Sequence, residues 1–432
     1  MRKVPAKDNS RHVGRISLLL LSIVSITSAL LLAEITLRGL IEPSPYSYGR
    51  LLGIELPPYR LVSAEPVRLS GDRSEWADGL IVDGNRITVG DLWGINREDP
   101  LLGYVPLEDA VSANGWWQSN NIGARARQPT STQPAEGVTR ILVFGESFTQ
   151  GSRVRQEETW PYYLDVSRQD VEVVNLAVDG YSMAQSYLRY LEMRERIGHD
   201  IVILMFVPAV DLWRDVNVRR DVGAYWWGTE TVMPRFVGED GRLTLVAPPA
   251  ASKSESAEST MRSILWSHLE NYDSFFNEKV YEEPDGLGHS VIYRLGLRQW
   301  HIMSNKRYRE SLWDPQSEAQ RVTREIFLSM DSQVEADGKQ FLLVTLPLSW
   351  ELEGKAYADR HERLCKSVGD SGVGCLDLME GLRNISPIEL DLTYDGSHFG
   401  PSTNRIIADL ILDYLNDQEL LQPKMPDTKE KL

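Results

Sequence analysis

Cysteine is nearly absent from this chain. Cys365 and Cys375 are the two that occur in 432 residues, and neither belongs to a Cys-x-x-Cys pair. A zinc ribbon is therefore excluded. In an oxidising compartment the two could close a small disulfide loop; elsewhere they are two thiols, and compartment decides between these readings. Histidine is scarce as well. Seven are scattered along the chain with no His-Glu-x-x-His, so spacing gives no metal site. Basic charge is in deficit: the formal net charge is −16. Nucleic acid is thus excluded as a partner class, because phosphate binding needs a basic surface. Internal repeats at periods of roughly 20–50 residues are also lacking. What remains, 42% hydrophobic and 25% charged residues, is the composition of a globular chain.

One long apolar run is present. Arg2, Lys3, Lys7, Arg11 and Arg15 precede Ile16 to Ala33, which is 18 residues without a charge. That is just long enough to span a bilayer. The basic residues stand before it, so the positive-inside rule puts 1–15 in the cytoplasm and the rest outside. A cleaved signal peptide is the competing reading. No Ala-x-Ala follows and no Cys offers lipid attachment, which favours an uncleaved anchor over 16–34. Residues 35–98, with Pro43, Pro45, Pro57, Pro58 and Pro66, read as an extended membrane-proximal segment. Within it, Leu80-Ile-Val and Arg86-Ile-Thr-Val have the pattern of short strands.

From Arg140 the pattern alternates between strand and helix. Arg140 to Phe144 is an apolar strand, followed by a helix from Trp160 and a strand over Val171 to Leu176. Ser182 and Gln185 form a capping box, and Ala184, Tyr187, Leu188 and Leu191 make one helical face. Asp200 to Phe206 is nearly all apolar, as a central parallel strand should be. An insert at about 213–310 carries Trp213, Trp226, Trp227, Trp266 and Trp300. These rings fill a subdomain core or form a platform for sugars. Its stretch Ala247 to Ser259 is of low complexity and is expected to be flexible. The alternation resumes with helices near 316–337 and 354–368 and strands at Gln340 to Leu346 and Val373 to Leu378. A last helix carries Ile406, Ile407, Leu410, Ile411 and Tyr414, and the tail 419–432 is expected to be disordered. Such a chain implies an α/β fold whose mostly parallel sheet is covered on both sides.

Ser147 stands just after the strand ending at Phe144, at the edge where open α/β sheets place their chemistry. Taken alone it is a helix N-cap. Asp395, three residues before His398, is alone a turn residue, and His398 a packing or capping group. Together a strand-end Ser with a late Asp and His is what nucleophilic acyl chemistry needs. The Gly-x-Ser-x-Gly elbow of the α/β-hydrolases is missing, because Thr149 stands two after Ser147.

Gly145-Glu-Ser147-Phe-Thr-Gln-Gly151, Asn175-Leu-Ala-Val-Asp-Gly180-Tyr181 and Asp395-Gly-Ser-His398 occur in that order. Asn120 to Arg125 and Trp160-Pro-Tyr accompany them. This set resembles the SGNH/GDSL hydrolase family, in its membrane-anchored bacterial form, over roughly 99–418. The resemblance implies a three-layer α/β/α fold with a flavodoxin-like sheet, preceded by one transmembrane helix. It implies Ser147 as nucleophile, His398 as base and Asp395 as its orienting acid. The Ser147 and Gly180 amides would form the oxyanion hole. No metal or organic cofactor is required. One block departs: Val210 stands where the family has Asn, and Val cannot donate a side-chain hydrogen bond. Asn217 and Trp213 are the donors nearest in sequence. The implied function is a serine-dependent carboxyl-ester hydrolase outside the cytoplasm, acting on acyl esters such as O-acylated envelope carbohydrate. An O-acyltransferase for extracellular polysaccharide, or a degenerate domain that binds glycan or envelope partners, are the alternatives.

Overall fold

The computed structural model describes residues 9–44, 47–61, 81–82, 85–86, 96–112, 115–219, 232–239, 241–249, 257–385, 390–393 and 395–421. The chain forms two compact units, Met1–Glu65 with Asn277–Arg307, and Pro66–Phe276 with Tyr308–Leu432. Trp226, Trp227, most of the expected low-complexity stretch and the tail beyond 421 lie outside the described residues. Ala257 already belongs to a helix, Ala257–Tyr272. At the start of the expected tail, the Leu420 amide still bonds back to Leu415 O.

The first unit holds the helix Asn9–Arg38. Its stretch Leu19–Arg38 is long and apolar enough to cross a membrane. Three short strands follow, β1 (Ile41–Glu42), β2 (Arg50–Leu51) and β3 (Ile54–Glu55), paired antiparallel in that order. Residues 277–307, which the sequence groups with the Trp-rich insert, belong to this unit instead. The reason is polar. Glu34 accepts the Val291 and Ile292 amides at 3.0 and 3.1 Å and the Ser290 hydroxyl at 2.9 Å. A carboxylate at that position satisfies the orphan donors of the helix Val291–Ser311. Arg294 in turn donates to the carbonyls of Gly49, Leu56 and Pro57.

The second unit begins with two ribbons, β4 (Ile81–Val82) with β5 (Asn85–Arg86), and β6 (Asn96–Asp99) with β7 (Gly103–Pro106). The Asp99 side chain accepts the Leu101 and Leu102 amides and closes the second turn. The main sheet follows: β8 (Thr139–Phe144), β9 (Val171–Asn175) and β10 (Ile201–Phe206), then β13 (Gln340–Thr345) and β14 (Cys375–Asp377). A hairpin, β11 (Arg235–Glu239) with β12 (Arg242–Val246), lies between them in sequence.

All five main strands are parallel, in the order β14-β13-β10-β8-β9. This is the flavodoxin-like order, with its switch point between β8 and β10. Strand alternation sorts the core into two layers. Leu142, Phe144, Val202 and Leu204 pack with Met183, Leu188, Ile326 and Met330 on one face. Ile141, Val143, Ile201 and Ile203 pack with Trp160, Leu164, Ile407 and Ile411 on the other. The helices Met183–Met193 and Glu318–Ala336 thus cover one side, and Trp160–Ser167 and Pro401–Asp417 the other. The fold is a three-layer α/β/α sandwich.

Candidate active site

The turn after β8 explains how a serine comes to stand at the sheet edge. Gly145 has φ +148°, and a Cβ there would meet Thr149 Oγ1 at 2.5 Å and Met205 O at 3.1 Å. Only glycine fits. Glu146 then caps the short helix Ser147–Gln150 by accepting the Phe148 amide at 2.9 Å. The N-cap is therefore Glu146, not Ser147. Ser147 is the first helical residue, and its hydroxyl is left for other partners.

His398 is 251 residues away in sequence, yet its Nε2 lies 2.7 Å from Ser147 Oγ. Its Nδ1 lies 2.6 Å from Asp395 Oδ2. The imidazole also stacks on Phe148, with centroids 4.3 Å apart and planes 19° from parallel. The other Asp395 oxygen accepts the Ser397 and His398 amides at 2.9 and 3.0 Å and the Thr393 hydroxyl at 3.0 Å. Burial pushes the Asp395 carboxyl up. The hydrogen bond and charge of His398 and the two amides outweigh it, and hold the group well below the usual carboxylate range. So Asp395 is both a turn residue and the imidazole's partner.

Gly180 lies in the turn after β9, with φ +79°. That turn is tied to the Ser147 turn. The Val178 amide donates to Gly145 O at 3.1 Å, and the Asp179 amide to Gln150 Oε1 at 2.8 Å. Among the described residues, neither the Ser147 amide nor the Gly180 amide meets a hydrogen-bond acceptor. Two donors therefore remain at the strand ends.

Several residues to which the motifs assign no role brace or line the site. Arg125 donates to the carbonyls of Gln150, Gly151 and Val154 and so clamps the segment after Ser147. Arg153 bridges two carboxylates, Asp395 at 3.3 Å and Asp179 at 3.5 Å. Phe148, Ser152, Arg153, Phe399 and Asn404 line a small cleft at Ser147 and His398. Arg214, at the end of the helix Pro208–Arg214 that follows β10, reaches Glu146. A sequence signal existed for this last residue: it stands four after Val210, one helical turn along the same face.

Val210 itself is half-buried against the apolar layer. Of the two donors nearest in sequence, Trp213 packs edge-on against Phe275. Asn217 accepts the Arg219 amide through Oδ1, while its Nδ2 is buried with no hydrogen-bond partner among the described residues. Of the other tryptophans, Trp266 meets Phe276 edge-on, and Trp300 is exposed. Cys365 and Cys375 are joined in a disulfide.

No protein-family model and no curated protein matches this chain. Solved structures do; several are described as lipolytic proteins of the G-D-S-L family, and others as an acylhydrolase or an esterase. One is a putative acylhydrolase from Bacteroides fragilis, 12% identical over 67% of this chain and 91% of its own, with a TM-score of 0.34. Another is a member of the lipolytic G-D-S-L family from Veillonella parvula, 12% identical over 65% and 99%, with a TM-score of 0.32. A third is a psychrotrophic esterase from a Pseudoalteromonas species, 11% identical over 65% and 98%, with a TM-score of 0.32. These likenesses are distant, and the site is defined by the hydrogen bonds of Ser147, His398 and Asp395 in this chain itself.

Proposed function

We propose that this chain is a serine-dependent carboxyl-ester hydrolase of the SGNH type. The observation that carries the reading is the placement of Ser147 Oγ 2.7 Å from His398 Nε2 and of His398 Nδ1 2.6 Å from Asp395 Oδ2. Nucleophile, base and orienting acid each stand within hydrogen-bond reach, as the chemistry requires.

Ser147 Oγ attacks the ester carbonyl and forms a C–O bond while His398 Nε2 takes its proton. The carbonyl π electrons move to oxygen. When the tetrahedral intermediate collapses, the bond to the alcohol oxygen breaks, and His398 returns the proton to that oxygen. Water then enters by the same route, frees the carboxylic acid and restores Ser147. Asp395 remains ionised throughout. It fixes the imidazole's tautomer and stabilises its positive charge. The amides of Ser147 and Gly180 are the donors aimed at the developing oxyanion.

The candidate membrane helix and the basic residues before it support a catalytic unit outside the cytoplasm. Acyl esters on envelope carbohydrate are the substrate class that fits such a location. The test uses the full chain in detergent, treated with a fluorophosphonate serine probe and mapped by peptide. Labelling is expected at Ser147 and is expected to vanish in Ser147→Ala and His398→Ala. A folded wild-type chain that takes no label, or labels as well without His398, would overturn the reading.

A further inference from the structure

We infer that Arg214 supplies a guanidinium donor to the oxyanion hole. This rests on the reading of Ser147 as the nucleophile.

Placement is the first ground. β8 and β10 are hydrogen-bonded neighbours at the switch point, where the crevice of such a sheet opens. Ser147 follows β8, and the helix carrying Arg214 follows β10. Helical side chains lean toward the N-terminus, so Arg214 reaches back over the turn that holds Val210. A long donor one turn later can thus cover ground that Val210 leaves apolar.

Contacts are the second ground. Arg214 Nη1 lies 3.6 Å from Glu146 Oε2, and that oxygen lies 2.5 Å from Ser147 Oγ. The guanidinium is therefore within about 6 Å of the nucleophile. The same nitrogen donates to Tyr181 O at 3.2 Å. Glu146 precedes Ser147 and Tyr181 follows Gly180, so Arg214 is held beside both of the residues whose amides are the proposed oxyanion donors. Oxyanion donors stand about 2.7–3.1 Å from an oxygen bonded to the carbon that Ser147 attacks, and a group at this range can reach it.

Spare capacity is the third ground. A guanidinium has five N–H donors in a fixed fork. Among the described residues, Arg214 Nε is buried and has no hydrogen-bond partner. The side chain still keeps 13% exposure, so it is not sealed behind the carboxylates. Its charge is held in place by Glu146 and by Asp211, whose Oδ1 is 3.6 Å away. Asp211 is fully buried, and its other oxygen accepts the Val207 amide at 2.7 Å.

The experiment measures the rate constant for labelling of Ser147 by a fluorophosphonate, in the full chain in detergent. In that step the Oγ–P bond forms, fluoride leaves, and the proton goes to His398. Charge builds on the phosphoryl oxygen in the oxyanion position. Arg214→Met should slow labelling by about 100-fold or more. Val210→Asn with Arg214→Met should recover at least about tenfold, which a purely structural loss would not do. In the wild-type background Val210→Asn should change the rate by less than about threefold, because the donor position is filled. Arg214→Met labelling within about threefold of wild type would overturn the inference, and so would a folded double variant with no recovery. Should Arg214→Met fail to fold, Val210→Asn alone still decides: a gain of about tenfold or more means that no donor was there. If wild type takes no label at Ser147, the nucleophile reading fails first and the hole falls with it.

Discussion

Glu146 and Ser147 are joined side chain to side chain, Oε2 to Oγ at 2.5 Å, although they are neighbours in the chain. The serine hydroxyl thus stands between a carboxylate and the imidazole of His398. Glu146 is 1% exposed, and it combines three roles: helix cap, partner of Ser147 and counter-charge to Arg214. Glu146→Ala removes all three, and is expected to cost about 2–4 kcal/mol from the lost cap and the loss of one of the two carboxylates beside Arg214. Glu146→Gln keeps the cap and should cost less. Urea unfolding of both variants checks this, and equal losses would show that the cap contributes nothing beyond the charge.

Asp395 is expected to make the fold sensitive to acid. Its carboxyl is held below the usual range in the folded chain, so the unfolded chain binds its proton first as pH falls. The stability it contributes is fully present above the normal carboxylate pKa and declines below about pH 4. Asp395→Asn should therefore show a flatter acid limb when stability is followed from pH 7 to pH 3. The same variant should lose about 10⁴-fold in turnover, because the imidazole is left in the wrong tautomer. An unchanged acid limb would contradict the assignment.

Asp215 should act in the opposite direction. It is fully buried and accepts the Met183 and Ala184 amides and the Thr323 hydroxyl. Burial outweighs these bonds and pushes its carboxyl up to about 6. The folded state then holds the proton that the unfolded state releases, so stability from this group is present at low pH and lost as pH rises from about 4 to about 6. Asp215→Asn should gain on wild type by on the order of 2 kcal/mol between pH 4 and pH 7. Denaturation at the two pH values is the measurement, and a constant difference would refute it.

The Cys365–Cys375 bridge closes a short loop, with a sequence separation of 10. Loop-closure entropy gives such a link about 2–3 kcal/mol. Cys365→Ser with Cys375→Ser should lower stability by that amount, and reductant should have no further effect on the double variant. A wild-type chain purified from an oxidising compartment whose stability ignores reductant would show that the bond contributes nothing.

Much of the fold was legible along the chain because its signals are local. Apolar runs marked Asp200 to Phe206 and Gln340 to Leu346 as strands, and the strands formed are Ile201–Phe206 and Gln340–Thr345. The Ser182–Gln185 capping box is present at the start of its helix. The three blocks that carry Ser147, Gly180 and the Asp395–His398 pair are recognisable together, by their order along the chain, since each short turn taken alone has a structural reading.

Sequence by itself determined the alternation of strands and helices, the apolar N-terminal helix and which three side chains are candidates for the site. Those depend on periodicity and on residues a few positions apart. The tertiary structure alone decided what meets what. It brought His398 to Ser147 across 251 positions, joined Cys365 to Cys375, set Glu34 over the helix start at Val291 and laid Arg214 beside Glu146. Spacing cannot specify such pairs, because a buried charge or a free donor takes whatever partner the packing of the sheet and its two helical layers brings within reach.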